Sequence, residues 1–140
     1  MEARNRKLED WYGKAKHGEV KLPRFQRFEA WDRYRISSLL ETVIKNLPLG
    51  ITLILEVGED EKFVSRHLET APKENARVYE HLLDGQQRLT ALWRTLHNNY
   101  ESDTYFIYIE EFDDYDQDEK RDDMTVFFRS RYFKNNGQKY

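Results

Sequence analysis

Residues 78–96 constrain this chain more than any other stretch. Val78-Tyr79-Glu80-His81-Leu82-Leu83 is short and rich in strand-favouring residues, whereas Leu89, Leu92, Trp93 and Leu96 recur at helical spacing along an otherwise polar segment. Between the two stand Asp84, Gly85, Gln86, Gln87 and Arg88. A strand that turns through glycine into a helix gathers backbone N–H groups and the positive end of the helix dipole at one place. That arrangement suits an anion, usually a phosphate. A second reading needs no ligand: Asp84 caps the helix, Gln87 completes an Asp-x-x-Gln capping box, and Gly85 only supplies an unusual backbone angle. Arg88 in the first turn opposes the helix dipole, an objection that an anionic partner would remove.

Size and charge narrow the function classes. The 140 residues suit a single domain, 1–140, burying roughly two-thirds of its unfolded surface. The absence of cysteine excludes a disulfide scaffold, a thiolate nucleophile and thiolate metal sites. No apolar run reaches the ~18 residues of a membrane span and the N-terminus is charged, which predicts a soluble cytoplasmic protein without a membrane partner. The net charge of −3 is uneven: residues 1–35 carry ten Lys/Arg against six Asp/Glu, residues 101–123 eleven Asp/Glu against two Lys/Arg. The balance argues against a nucleic-acid protein overall but allows a local basic face. The polar stretch Asn135–Lys139 suits a domain cut from a longer protein.

Taken in order, residues 4–17 read as an amphipathic helix with Leu8, Trp11, Tyr12 and Ala15 on one face and Gly18 at its end. A short strand from Val20 enters a loop at Pro23, which cannot continue a central ladder, so Arg24, Gln26 and Arg27 fall on irregular chain just after a strand. A solvated basic loop is the plain alternative. Ile36, Leu39, Leu40, Val43, Ile44 and Leu47 define a helix over 31–47, stopped by Pro48-Leu49-Gly50, with Trp31 as a packing anchor. Residues 51–57 are nearly continuous aliphatic sequence, the pattern of a strand covered on both faces. Phe63-Val64-Ser65 is a short strand candidate, and 66–77 a polar, mobile loop. After strand 78–83 and helix 86–98 come an aromatic strand over 104–109, an acidic loop over 110–123 and a strand from Met124 towards Phe133. Four to six strands and three helices give a small α/β or α+β domain.

Two strand-following segments thus carry arginine and glutamine. If the Arg24/Gln26/Arg27 loop folds over the Asp84–Arg88 turn, the result is a cleft of three arginines and three amides. Arginine forks match phosphate oxygens in a bidentate way. Glutamine orients the attacking water in some nucleotide hydrolases. Asp84 could hold Mg²⁺ directly or through water. The glycine-rich Lys-Ser/Thr loop of P-loop enzymes is missing, so a nucleotide site must be of another kind.

Leu22-Pro23-Arg24-Phe25-Gln26-Arg27, a Trp shortly after, and Leu83-Asp84-Gly85-Gln86-Gln87-Arg88-Leu89-Thr90 resemble the N-terminal domain of GmrSD-type restriction proteins, over roughly residues 4–112. The resemblance implies an α+β, ParB/sulfiredoxin-like fold: a small mixed sheet with flanking helices. It implies a prokaryotic anti-phage or restriction setting. The domain would bind and hydrolyse nucleoside triphosphate with Mg²⁺ and control DNA cleavage by a nuclease domain or partner. Carried over by motif, Arg24, Gln26, Arg27, Gly85, Leu89 and Thr90 would contact nucleotide. Asp84, Gln86, Gln87 and Arg88 would form the hydrolytic turn, with Asp84 also the metal ligand. A homodimer is an allowed assembly. Sulfiredoxin has a cysteine in its related turn and this chain has none, so peroxiredoxin repair is excluded. His17, His67, His81 and His97 form no His-Asn-His pattern, so nuclease activity would need another domain, and His81 reads as a strand residue rather than a base. The alternatives are a non-catalytic ParB-like module that binds nucleotide or DNA, and a structural domain in which the turn is only a cap.

Overall fold

The computed structural model describes residues 5–74, 77–108 and 125–131, and it is an α+β fold. Helix α1 (Leu8–Lys16) leads to strand β1 (Val20–Pro23). Helix α2 (Arg33–Ile44) is followed by strands β2 (Leu53–Glu56), β3 (Ser65–Arg66) and β4 (Glu80–Asp84), then helix α3 (Gln86–Leu96) and strands β5 (Asp103–Ile107) and β6 (Val126–Ser130). The acidic run 110–123, expected to be a solvated loop, lies outside the described residues. None of the described helices is long and apolar enough to cross a membrane.

The residues group into two compact units, 1–30 with 51–93 and 31–50 with 94–140. The first holds a four-stranded sheet of order β2-β4-β1-β3. β1 and β4 run parallel, pairing Val20 with Glu80 and Lys21 with His81, while β2 pairs antiparallel with β4 and β3 antiparallel with β1. Ala15, Val20, Leu22, Leu68, Leu82, Leu89 and Trp93 form one buried cluster, with Trp11, Tyr12 and Ile54 packed against it. Each large apolar side chain so buried contributes about 2 kcal/mol.

Two expectations change here. The aliphatic run 51–57 yields an edge strand, not one covered on both faces: Ile51 is 87% and Leu53 46% exposed. Among the described strands β4 is its one hydrogen-bonded neighbour. The short strand expected at Phe63–Ser65 forms one residue later, as β3, and the segment after it, expected to be a polar mobile loop, sends Leu68 and Ala71 into the core. A two-residue strand is too short to show a period of two.

In the second unit α2 packs against the β5–β6 hairpin. Tyr34 meets Phe128 edge-on at 5.2 Å, the Arg33 guanidinium lies 5.3 Å from the same ring, and Val126 N–H donates to Glu41 Oε1 at 3.1 Å. Asp32 caps α2 by accepting from Arg35 N–H at 2.9 Å. The helices share one way of ending. Gly18, Asn46 and Asn98 have φ of 70°, 53° and 50°. The next residue's N–H reaches back to the carbonyl five positions earlier: Glu19 to Lys14, Leu47 to Thr42 and Asn99 to Arg94. Glycine and asparagine are the residues that enter this left-handed cap most readily. The glycine end was expected. The asparagines stop α2 and α3 two or three residues sooner than the apolar spacing suggested.

Candidate functional site

The parallel pairing of β1 with β4 sets up the site. Both strands leave the sheet at the same end, so the segment after each emerges beside the other, as at the carboxyl ends of strands in open sheets. The chain after Pro23 turns at once: Gln26 N–H donates to Pro23 O at 3.1 Å and Arg24 N–H to Val64 O at 2.9 Å. After β4, Gly85 takes φ 95°, and Leu89 N–H donates to its carbonyl at 3.0 Å to open α3. Gly85 therefore stands at the N-cap position and Asp84 one residue before it. A Cβ at Gly85 would lie 2.4 Å from Thr52 Cγ2, so both backbone angle and space demand glycine.

Three glutamine amides fasten the two segments together. Gln26 Nε2 donates to Leu82 O at 2.7 Å and Leu83 O at 2.8 Å. Gln86 Nε2 donates to Arg27 O at 2.5 Å. Gln87 works both ways, its Nε2 donating to Phe28 O at 3.1 Å and its Oε1 accepting from Ala30 N–H at 2.9 Å. Gln86 and Gln87 are buried, and a buried amide that found no partner would cost about 1–3 kcal/mol, which explains why the pairing is this complete. The capping-box reading gives way at this point. Gln87 spends its amide on the loop and not on the backbone before the helix.

The charged groups are disposed differently. The side chains of Arg24 and Arg27 are exposed, as is Asp84. Arg88, in the first turn, donates through Nη2 to Ile51 O and lies 3.8 Å from Asp84 Oδ2. The chain's own carboxylate and carbonyl thereby offset the unfavourable helix dipole at Arg88. Leu89 and Thr90 are buried, Leu89 inside the core cluster. His81 lies in β4 as a strand residue, fully buried, with Nε2 3.0 Å from Glu61 Oε1.

Arg66 escaped the sequence reading. From β3 its Nη2 donates to Arg27 O at 3.2 Å and lies 3.5 Å from Gln86 Oε1, and its guanidinium covers the Phe28 ring with Cζ 4.6 Å from the centroid. It touches both motifs yet belongs to neither. Its position at the end of β3, one residue past the Phe63–Ser65 strand candidate and in the segment read as a loop, brings it there.

The model of the GmrSD restriction endonuclease N-terminal domain matches residues 8–140. The chain belongs to that family. The family takes its name from a restriction endonuclease, of which this is the N-terminal domain. A protein of Methanocaldococcus jannaschii, described as uncharacterized, is 35% identical over 97 residues, which cover 65% of this chain and 17% of that protein. The match thus spans about a sixth of the relative's length. No solved structure matches the chain.

Proposed function

We propose that this chain is a nucleoside triphosphate-binding and -hydrolysing domain of a restriction system that controls DNA cleavage by a nuclease domain or partner. One observation carries the reading. The glutamine clasp holds the Arg24–Arg27 loop against the strand-turn-helix at Asp84–Arg88, while Arg24, Arg27 and Asp84 remain exposed. The N–H groups of the first turn of α3 and the exposed guanidinium groups are donors for phosphate oxygens. The donor set also suits magnesium. Asp84 offers one exposed carboxylate, and Gln26 Oε1, one residue from it through the Leu83 carbonyl contact, is buried without a hydrogen-bond donor. Mg²⁺ is commonly held by one or two carboxylates, waters and the substrate's own phosphates, and it would neutralise charge on those phosphates. DNA would engage through the nuclease domain or partner.

Phosphate release from each triphosphate, measured with magnesium, tests the proposal. Turnover is expected from the unaltered chain and is expected to disappear in Asp84→Asn. Arg27→Ala should weaken triphosphate affinity about tenfold, the value of one charge-assisted contact. A chain that binds no triphosphate at millimolar concentration would sink the proposal. A second reading, a non-catalytic nucleotide-binding module, is favoured by the glutamines, whose amides are committed to the loop carbonyls and not to a water. Triphosphate affinity without phosphate release would select it.

A further inference from the structure

Phe28 is the residue of the first motif segment that phosphate chemistry leaves unexplained. Its ring is 69% exposed, yet the backbone that carries it is pinned on both sides. The Phe28 carbonyl accepts from Gln87 Nε2 at 3.1 Å. The Arg27 carbonyl before it accepts from Gln86 Nε2 at 2.5 Å and Arg66 Nη2 at 3.2 Å. Two residues on, Ala30 N–H donates to Gln87 Oε1 at 2.9 Å. A mobile loop can leave an aromatic ring in water without consequence; here a fixed backbone holds one there.

The Arg66 guanidinium covers one face of that ring at 4.6 Å, a cation–π distance, and Arg66 is itself tied to both motifs. A ring backed by a guanidinium on one face keeps the other for a second flat partner. Phe25, with 70% exposure, is a different case, because its ring already meets Phe63 edge-on at 5.5 Å and Phe63 lies 5.6 Å from the His81 ring.

We infer that Phe28, backed by Arg66, is the stacking platform for the base of the nucleotide whose phosphates are taken by the Arg24–Arg27 loop and the α3 N-terminus. The inference rests on the triphosphate reading above and adds the group that distinguishes a nucleotide from bare polyphosphate. Stacking on an aromatic face accepts any base, because each presents a π surface. Arg66 is here a positioning residue, setting the orientation of the ring.

Comparing a nucleoside triphosphate with inorganic tripolyphosphate, both with magnesium, separates base from phosphate. The unaltered chain should bind the nucleotide about tenfold or more tightly than tripolyphosphate, the scale of one stacked base. Phe28→Leu should bring that ratio close to one and leave tripolyphosphate affinity and the melting temperature as they were. Phe28→Trp should keep the ratio, and its added fluorescence should be quenched by the nucleotide but not by tripolyphosphate. Arg66→Lys should lower the ratio part of the way. An unaltered chain that binds both ligands equally, or a Phe28→Leu variant that keeps the preference, overturns the platform and leaves the triphosphate reading standing. Binding of neither ligand by the unaltered chain removes the reading beneath it as well.

Discussion

Strand β4 begins with one carboxylate and ends with another. Glu80, 6% exposed, accepts from Arg6 Nη1 at 2.6 Å and Arg6 Nη2 at 2.8 Å, and from Lys14 Nζ at 3.0 Å. Burial alone would push its pKa up, but the hydrogen bonds and charges of Arg6 and Lys14 outweigh it and hold the carboxyl below its ordinary value. Asp84, its side chain 75% exposed, has Arg88 3.8 Å away. The two show what pairing does to a charge. Glu80 is matched inside the protein, where it fastens the N-terminal segment and α1 to the sheet. Asp84, at the end where the motifs meet, is matched loosely and stays exposed to solvent.

The contrast is most severely tested by Glu80→Gln. Removing this charge leaves Arg6 and Lys14 facing a partly buried site without a counter-ion and should lower stability by about 3 kcal/mol in a denaturant titration at neutral pH. The pH dependence follows from the sign of the shift. A carboxylate depressed on folding stabilises fully above its unfolded value, 4.5 for this residue type, and loses that contribution as pH falls through the lower folded value. The unaltered chain should therefore lose stability on acidification below pH 4.5, and Glu80→Gln should lose less. Equal acid sensitivity in both proteins would remove Glu80 from its structural role.

Gly85→Ala comes next, at about 2 kcal/mol, because it forces a side chain onto a left-handed backbone and into Thr52. Combining it with Thr52→Ala should recover part of that loss, the steric part, while the backbone part persists. Full additivity of the two changes would show that the close approach is not felt.

Gln87→Ala should cost about 1–2 kcal/mol, since Ala30 N–H and Phe28 O both lose a partner. Amide exchange should accelerate at Ala30 while the sheet amides keep their protection. At the small end, Asp84→Asn should change stability by less than about 0.5 kcal/mol, as for an exposed residue outside any tight network. A destabilisation near that of Glu80→Gln would erase the distinction between the two carboxylates.

Much of the fold was legible because its signals are local. Gly18 after an apolar stripe marked the end of α1, and Leu89, Leu92 and Trp93 marked the buried face of α3. Asn46 and Asn98 carried the same signal for α2 and α3 in a residue less committed to the left-handed region, and Pro48 drew attention further along. The aliphatic run at 51–57 announced a strand but not its place, because edge and centre differ only in what pairs alongside. Arg66 was beyond reach for the same reason: nothing within several residues of it hints that β3 joins the sheet next to β1.

Residue type and short spacing alone determined that a glycine turn joins a strand to an amphipathic helix, and that arginines and amides cluster just after two strands. Those are properties of a few neighbouring residues, and a sequence states them directly. Tertiary structure alone decided that β1 and β4 lie parallel, so that segments more than fifty positions apart interlock through Gln26, Gln86 and Gln87. It also decided which side chains hold the site together and which face outward, because a polar group's partner is set by whatever long-range packing brings within about 3 Å of it.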